Sequence, residues 1–461
     1  MRLSARHAAG FAAVALGMHG VAQAQDAPAP APTDTPTPAV AGQDAEPATV
    51  PDQPAPAPAG TDILSAHTLS ILLDGRLVAV NGERSFLDRG FGKTRFSGGS
   101  GHDMQVDPLP MEADLIWTPR FTNSLSGNVS GTWQRDQEKS VDLLEAFVTF
   151  LPPRGEHVSF SAKAGLYWPE ISLEHATGGA WSTVYTITPS AINSWVGEEV
   201  KFIGAEATLG LTLGKHDFSL TGGVFGFNDT SGTLLSFRGW ALHDLKAGAF
   251  GHIQLPVLSP FMSGPQAPST KSLLEIDNRP GFYGRFEWRP PSSSAIAVNA
   301  FYYDNRGDPT VFNPAKQWGW RTRFLNVGLS ANLTPTTRLL AQAMDGTTQM
   351  GIIPPGLNNY WIDTRYRSAY VLVAQDVVGG RGQVTGRFEL FDTHERGTRM
   401  SPDESETGGA ATLAGRWRIN DMLTGYVEAM HIRSRRGVRT RIGEDPFQAQ
   451  TVLQASLRLR L

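Results

Sequence analysis

From His157 to Trp168 the side chains alternate without a break. Val158, Phe160, Ala162, Ala164, Leu166 and Trp168 share one parity, and His157, Ser159, Ser161, Lys163, Gly165 and Tyr167 the other. Successive residues of a strand face opposite sides of its sheet, so this stretch reads as a two-sided strand. The pattern recurs along the chain. Leu125, Gly127, Val129, Gly131 and Trp133 alternate with Ser126, Asn128, Ser130, Thr132 and Gln134, and Leu325, Val327, Leu329, Ala331 and Leu333 with Asn326, Gly328, Ser330 and Asn332. Such a sheet wants hydrocarbon on one side and water on the other. It must also satisfy every backbone group at membrane depth, and strands do so only in a closed barrel. The expected fold is all-β, a transmembrane antiparallel β-barrel. After the N-terminus no run of eighteen apolar residues occurs, which argues against helical spans.

Strands are expected near 69–80, 109–119, 124–134, 141–151, 157–168, 200–213, 217–227, 233–242 and 246–256. A second set is expected near 281–289, 294–304, 320–333, 336–346, 366–378, 381–392, 409–419, 422–433 and 449–461, making eighteen, with sixteen as the alternative. Thr334-Pro335, Gly379-Gly380 and Asn420-Asp421 are tight turns, whereas 81–108, 169–199, 257–280, 347–365 and 434–448 are long. Short periplasmic turns and long external loops give this rhythm. The 169–199 connection carries Glu170, Glu174, Glu198 and Glu199 among Trp181, Tyr185 and Trp195. So many apolar groups do not suit a solvated tip, and the loop is expected to fold into the barrel mouth.

Met1 to Ala24 has the layout of a secretory signal, with Arg2 and Arg6, an apolar Phe11–Leu16 core and Ala22-Gln23-Ala24 before the cleavage point. Its removal takes the formal charge from −4 to −6, since two arginines leave with it, and an acidic chain disfavours a nucleic-acid partner. Residues 25–63 form a Pro/Ala-rich segment, with ten Pro and ten Ala between Asp26 and Gly60, and are expected to be a disordered periplasmic spacer. The barrel is expected over 64–461. The chain has no cysteine, hence no disulfide and no lipid-bearing N-terminal Cys.

The last strand carries a family resemblance. Leu453, Ala455, Leu457, Leu459 and Leu461 alternate to the final residue, which resembles the C-terminal assembly signal of Gram-negative outer-membrane proteins, with Leu461 where an aromatic is usual. From Leu64 onward the layout resembles the porins, loosely those of the porin O and P group. The Ser70–Val80 stretch, containing Leu73-Asp74-Gly75-Arg76-Leu77, is similar to a porin first strand. The resemblance implies an outer-membrane location after secretion across the inner membrane, a long third external loop that narrows the pore, and homotrimeric assembly. Lipid and lipopolysaccharide would surround it, and small hydrophilic solutes would pass through.

Charges on the lumen parity divide by half. Glu112, Asp114, Glu145 and Glu206 stand with Lys163 in the first half. In the second, Arg285, Arg338, Arg387, Arg416, Arg418, Arg458 and Arg460 stand against Glu287, Glu389 and Glu428. The first set is an expected acidic wall and the seven arginines a basic wall, with the loop carboxylates Glu170, Glu174, Glu198 and Glu199 as constriction groups. A transverse field of this kind orders water and disfavours apolar solutes. Seven acids offset eight bases, so selectivity is expected to be weak. His175, His243, His252, His394 and His431 show no triad spacing to a serine, and the acids near Asp304 and Asp403 do not follow a cation-loop pattern, so no enzyme, cofactor or metal site is expected. Arg433, Arg435, Arg436, Arg439 and Arg441 are placed in the last external loop, either as a site for headgroup phosphates or as a simple charged tip. The function expected is that of a porin for passive diffusion of small hydrophilic solutes. An anion- or phosphate-selective channel and a plugged surface-binding or structural barrel are the alternatives.

Overall fold

A computed structural model describes residues 60–175, 183–292, 294–400 and 404–461. The signal expectation, most of the Pro/Ala-rich segment, Trp181 and Asp403 lie outside these residues. The strands are β1 Leu69–Val80, β2 Gln105–Trp117, β3 Leu125–Gln134, β4 Val141–Phe150, β5 Val158–Tyr167, β6 Phe202–Leu213, β7 His216–Gly226, β8 Ile253–Gln254 and β9 Ser269–Thr270. They continue with β10 Gly281–Arg289, β11 Ala297–Asp304, β12 Arg321–Thr334, β13 Thr337–Met350, β14 Ile362–Val377, β15 Gly382–Glu395, β16 Glu406–Arg418, β17 Leu423–Arg436 and β18 Phe447–Arg460. Two helices occur in connections, α1 Ala191–Glu199 and α2 Thr233–Phe237.

All strands except β8 and β9 form one closed barrel. Each pairs antiparallel with its neighbour, β7 pairs β10, and β18 closes on β1 with Leu73 opposite Leu459. Closure removes the unpaired edges that strands cannot expose to lipid. The alternation decides which face is which. Leu209, Leu325 and Val427 point outward and are 42%, 50% and 59% exposed, while Thr208, Asn326 and Glu428 point into the lumen. Tight turns at 214–215, 335–336, 378–381 and 419–422 lie at one end and long connections at the other. At the short-turn end Asp62 exchanges backbone hydrogen bonds with Arg120 at 2.8 Å, and Trp117 Nε1 donates to the Ile63 carbonyl at 2.7 Å.

The barrel has sixteen strands, which corrects the expectation of eighteen. The two surplus strands, 233–242 and 246–256, fall in one long connection, 227–280, that returns only the short β8–β9 pair. Their apolar residues do not alternate. Leu234 and Leu235 are adjacent, as are Trp240, Ala241 and Leu242, and all five are buried. A membrane strand needs one wet face; this segment has two apolar faces and is packed on both. Leu234 and Phe237 pack with Trp320, Met350 and Ile362, and Trp240 sits 6.1 Å from Trp195. Arg433, Arg435 and Arg436 also move, from the last loop into β17. Trp168, which shares the apolar parity of β5, is buried beneath the Lys201 ammonium at 4.6 Å. The apolar core of the molecule thus lies inside the barrel, centred on Trp195, Phe324 and Tyr366.

Candidate functional site

Several connections pack against the inward faces of the strands, among them 183–201 and 227–280, with Phe86, Lys93 and Arg95 of the connection after β1 beside them. In the first, Ser190 caps α1 by accepting from the Asn193 N–H, and every residue of α1 is buried. A helix packed all round is held by whatever satisfies its polar groups. Glu174 accepts from Ser190 N and Oγ at 3.0 and 2.6 Å, and from Asn193 Nδ2 at 2.5 Å. Arg387 donates to Glu174 at 2.8 Å and to Glu389 at 2.9 Å, and its remaining donors reach the Thr188 and Pro189 carbonyls. Glu389 accepts from the Ala191 N–H at 2.7 Å, and Glu428 from those of Ile187 and Thr188 at 2.7 and 3.0 Å. Gln342 bonds the Ile171 carbonyl and the Leu173 N–H. Arg416, Arg338 and Arg458 reach Val184 O, Tyr185 Oη and Thr183 O.

The second connection lies against the first and against the opposite wall. Arg238 forms a two-pronged pair with Glu198 at 2.8 and 2.5 Å, and His243 Nε2 is 3.1 Å from the same carboxylate. Burial by itself raises the Glu198 pKa, yet the Arg238 guanidinium, with the His243 ring beside it, holds it down to about 2. Glu199 accepts from Trp195 Nε1 and from the Gly232 and Leu234 N–H groups. Burial, with Glu198 beside it, pushes Glu199 up to about 7. Lys201, held by the Leu144 and Ala247 carbonyls, is pulled down to about 7 by burial. Farther along, Asp244 pairs with Arg76 at 2.6 Å and Arg95 at 3.2 Å, and Lys246 pairs with Glu112 and, at 3.4 Å, with Asp114. Asp142 accepts from the Phe250 and Gly251 N–H groups, and Lys93 bridges Glu406 and the Trp240 carbonyl. Gly239, at φ +78°, lets the chain pass Glu406; a Cβ there would lie 2.0 Å from the carboxylate.

Among the spaces between the described residues are two that adjoin these connections. One, of about 350 Å³, lies among the long connections and is lined by Asp136, Glu138, Glu198, Lys246 and His252. The other, of about 20 Å³, is room for one water and is lined by Asp74, His175, Thr183, Asn193, Asp244 and Arg458. Leu245 and Lys246 line both.

The structure distributes the expected residues unevenly. Glu174 and Arg387 meet directly, as do Glu206 and Lys163 at 3.0 Å. Glu198 and Glu199 bond the 227–280 segment and not the arginines of β16. Glu170 is exposed and 4.0 Å from Arg285, which pairs with Glu287. Glu145 is buried, and Glu112 and Asp114 share Lys246. Arg418 and Arg460 are exposed at the short-turn end. Sequence reasoning gave no lumen role to Asp74, Arg76, Gln342, Gln454 and the polar residues Arg238, His243, Asp244 and Lys246. Asp74 and Arg76 were within reach, since Leu73, Gly75 and Leu77 take the outward parity of β1.

No family model matches the chain, and no curated protein is similar to it. Solved structures are. The outer-membrane channel DcaP of Acinetobacter baumannii superposes with a TM-score of 0.51 at 10% identity, covering 86% of this chain and 99% of that one. An anion-selective porin from Comamonas acidovorans gives 0.48 at 10% identity over 86% and 99%, and OprB of Pseudomonas putida 0.47 at 10% over 86% and 94%. The chain shares the fold of the DcaP outer-membrane channel, a closed antiparallel barrel, here with an apolar exterior and a charged interior.

Proposed function

We propose that the protein is an outer-membrane porin through which small hydrophilic solutes and ions diffuse passively. The route is narrowed by two connections, 168–201 and 227–280, with 168–201 as the third external loop. One observation carries this reading: charged and polar side chains line two spaces of about 350 and 20 Å³ that share Leu245 and Lys246, in a barrel whose outside is apolar. Fixed charges on facing walls favour hydrated ions over apolar solutes. Glu174, Arg387, Arg458, Asp74 and Lys246 are the constriction groups in this view, and Arg418 and Arg460 belong to the periplasmic mouth. Removal of residues 1–24 on export and homotrimeric assembly belong to the same reading, and intact mass and native mass spectrometry test them. The small volume of the inner cavity also supports a second reading, a plugged barrel. Planar-bilayer recording separates the two. A porin shows single-channel steps in the full chain, and replacing residues 238–252 with a Gly-Ser linker raises the conductance severalfold. A plugged barrel is silent until that replacement is made.

A further inference from the structure

The outside of the barrel is not uniform. On β1 through β10 the described outward positions carry no Arg, Lys, Asp or Glu; Leu, Val, Ala, Gly and Phe dominate. On β12, β14 and β17 the outward row runs into arginine at the long-loop end: Arg321 and Arg323, Arg365 and Arg367, Arg433 and Arg435, all exposed. Asp345 of β13 pairs with Arg365 at 2.6 Å and Asp392 of β15 with Arg367 at 3.0 Å, and both arginine side chains remain about half exposed. Arg433 Nε donates to His431, and Asp304 is buried beside the row. Asp363, on the same outward row of β14, pairs with Arg396 at 2.6 Å, so six arginines stand against four aspartates on one flank of the wall.

The register places this row with respect to lipid. Arg323 lies opposite Thr347, Asp345 opposite Arg367, and Arg367 opposite Asp392. One outward step toward the short turns, the same strands present Leu325, Ala343, Ala369 and Leu390, and below them Val327, Val371 and Phe388. The arginines therefore begin where the hydrocarbon-facing rows stop. A cation there pairs with headgroup charge while its stem covers the acyl region.

We infer that this flank, the outward face of β12 to β17 at the long-loop end, binds the phosphate groups of a phosphorylated outer-leaflet glycolipid of the lipid A type, acyl chains on the apolar rows and phosphates on the arginines. Guanidinium forks match phosphate oxygens two at a time. A second copy of the chain is a poorer occupant. Paired like with like, the flank repels itself. In a ring it would meet another stretch of the exterior, and the outward face of β1–β10 offers it no carboxylate. The inference rests on the outer-membrane orientation proposed above and not on conduction.

The test uses the full chain purified in detergent and transferred to nanodiscs of phosphatidylethanolamine with added bis-phosphoryl, monophosphoryl or dephosphorylated lipid A, the bound lipid being read by native mass spectrometry. We expect bis-phosphoryl lipid to be retained at least tenfold over the dephosphorylated form. Retention should fall by a similar factor in R323Q/R365Q/R367Q/R433Q, be restored in large part in the corresponding Lys variant, and stay unchanged in K215Q, which alters the exposed short turn after β6. Heat-modifiable migration on gels reports folding, and the Lys variant keeps the test decisive if the Gln variant does not fold. Equal retention of dephosphorylated lipid, full retention by a folded Gln variant, or displacement of the lipid by millimolar inorganic phosphate overturns the inference. So does a Gln variant that keeps its lipid and loses its oligomer. Conductance, recorded separately, tests the porin reading alone.

Discussion

The 183–201 and 227–280 segments both pack against the inner face of the barrel and are held in different ways. The 168–201 segment is fixed to the far wall mainly through its backbone: Glu389 and Glu428 accept its N–H groups, and Arg387 binds its carbonyls. The 227–280 segment is fixed mainly by side-chain charge, through Arg238–Glu198, Asp244 with Arg76 and Arg95, and Lys246 with Glu112 and Asp114. It also rests on its neighbour. His243 N donates to Ser194 Oγ and Ala247 N to the Gly197 carbonyl, whereas the wall contacts of 168–201 do not pass through 227–280. The first segment is a frame and the second is seated on it.

Arg387→Met should break the comparison most severely. It leaves Glu174 and Glu389 buried without their cation, and removing one partner of a buried pair costs about 3–5 kcal/mol. Both segments should loosen, read as a lower unfolding temperature in detergent and a noisier channel. Arg238→Met carries a similar local cost for Glu198 and loosens only the seated segment; limited proteolysis should then cut within 227–280 while 168–201 stays protected. Cleavage of both alike would refute the frame-and-seat relation.

Asp244→Asn is milder. The amide keeps a hydrogen bond to one arginine, and the loss should be about 1–3 kcal/mol, the range for an unsatisfied buried polar group. Conductance should rise by less than in the 238–252 replacement. Charge reversal at Arg416 and Arg418 acts on the mouth instead. With R416E/R418E the reversal potential in a salt gradient should move toward cation preference, and the shift should shrink as the Debye length falls from about 10 Å at 0.1 M to about 3 Å at 1 M.

The smallest effect concerns pH at the seam. Glu199 of the frame accepts from the Gly232 and Leu234 N–H groups of the seated segment, and burial pushes its folded pKa from the ordinary 4.5 up to about 7. Between those values the folded protein holds a proton that the unfolded chain has released, so this group's contribution to stability falls as pH rises from 4.5 to 7. Glu199→Gln should remove that slope from the unfolding temperature measured across the window. An unaltered slope would place the titration elsewhere.

How much of this was legible beforehand can be followed residue by residue. Period-two alternation located every strand of the wall, because lipid and water on opposite faces leave a signature that depends only on parity. The same rule put Glu428, Arg387 and Glu389 inside. It failed at 233–256, where Leu234-Leu235 and Trp240-Ala241-Leu242 supply apolar residues to both faces, and where a membrane strand was expected the chain instead enters the barrel. It failed again at Arg433 and Arg435: the cost of a lipid-facing charge, about 2–4 kcal/mol at the midplane, falls to about 0–1 near the interface, so position along the strand decides whether arginine is tolerated outside.

The sequence by itself determined the barrel, the facing of its walls and the alternation of short and long connections, since each follows from periodicity and composition within a few neighbouring residues. Only the tertiary structure decided the count of sixteen, the second inserted segment and the pairing of charges across the lumen. Those depend on residues far apart in the chain, Arg387 with Glu174, Arg76 with Asp244 and Lys246 with Glu112, and nothing local to any of them specifies its partner.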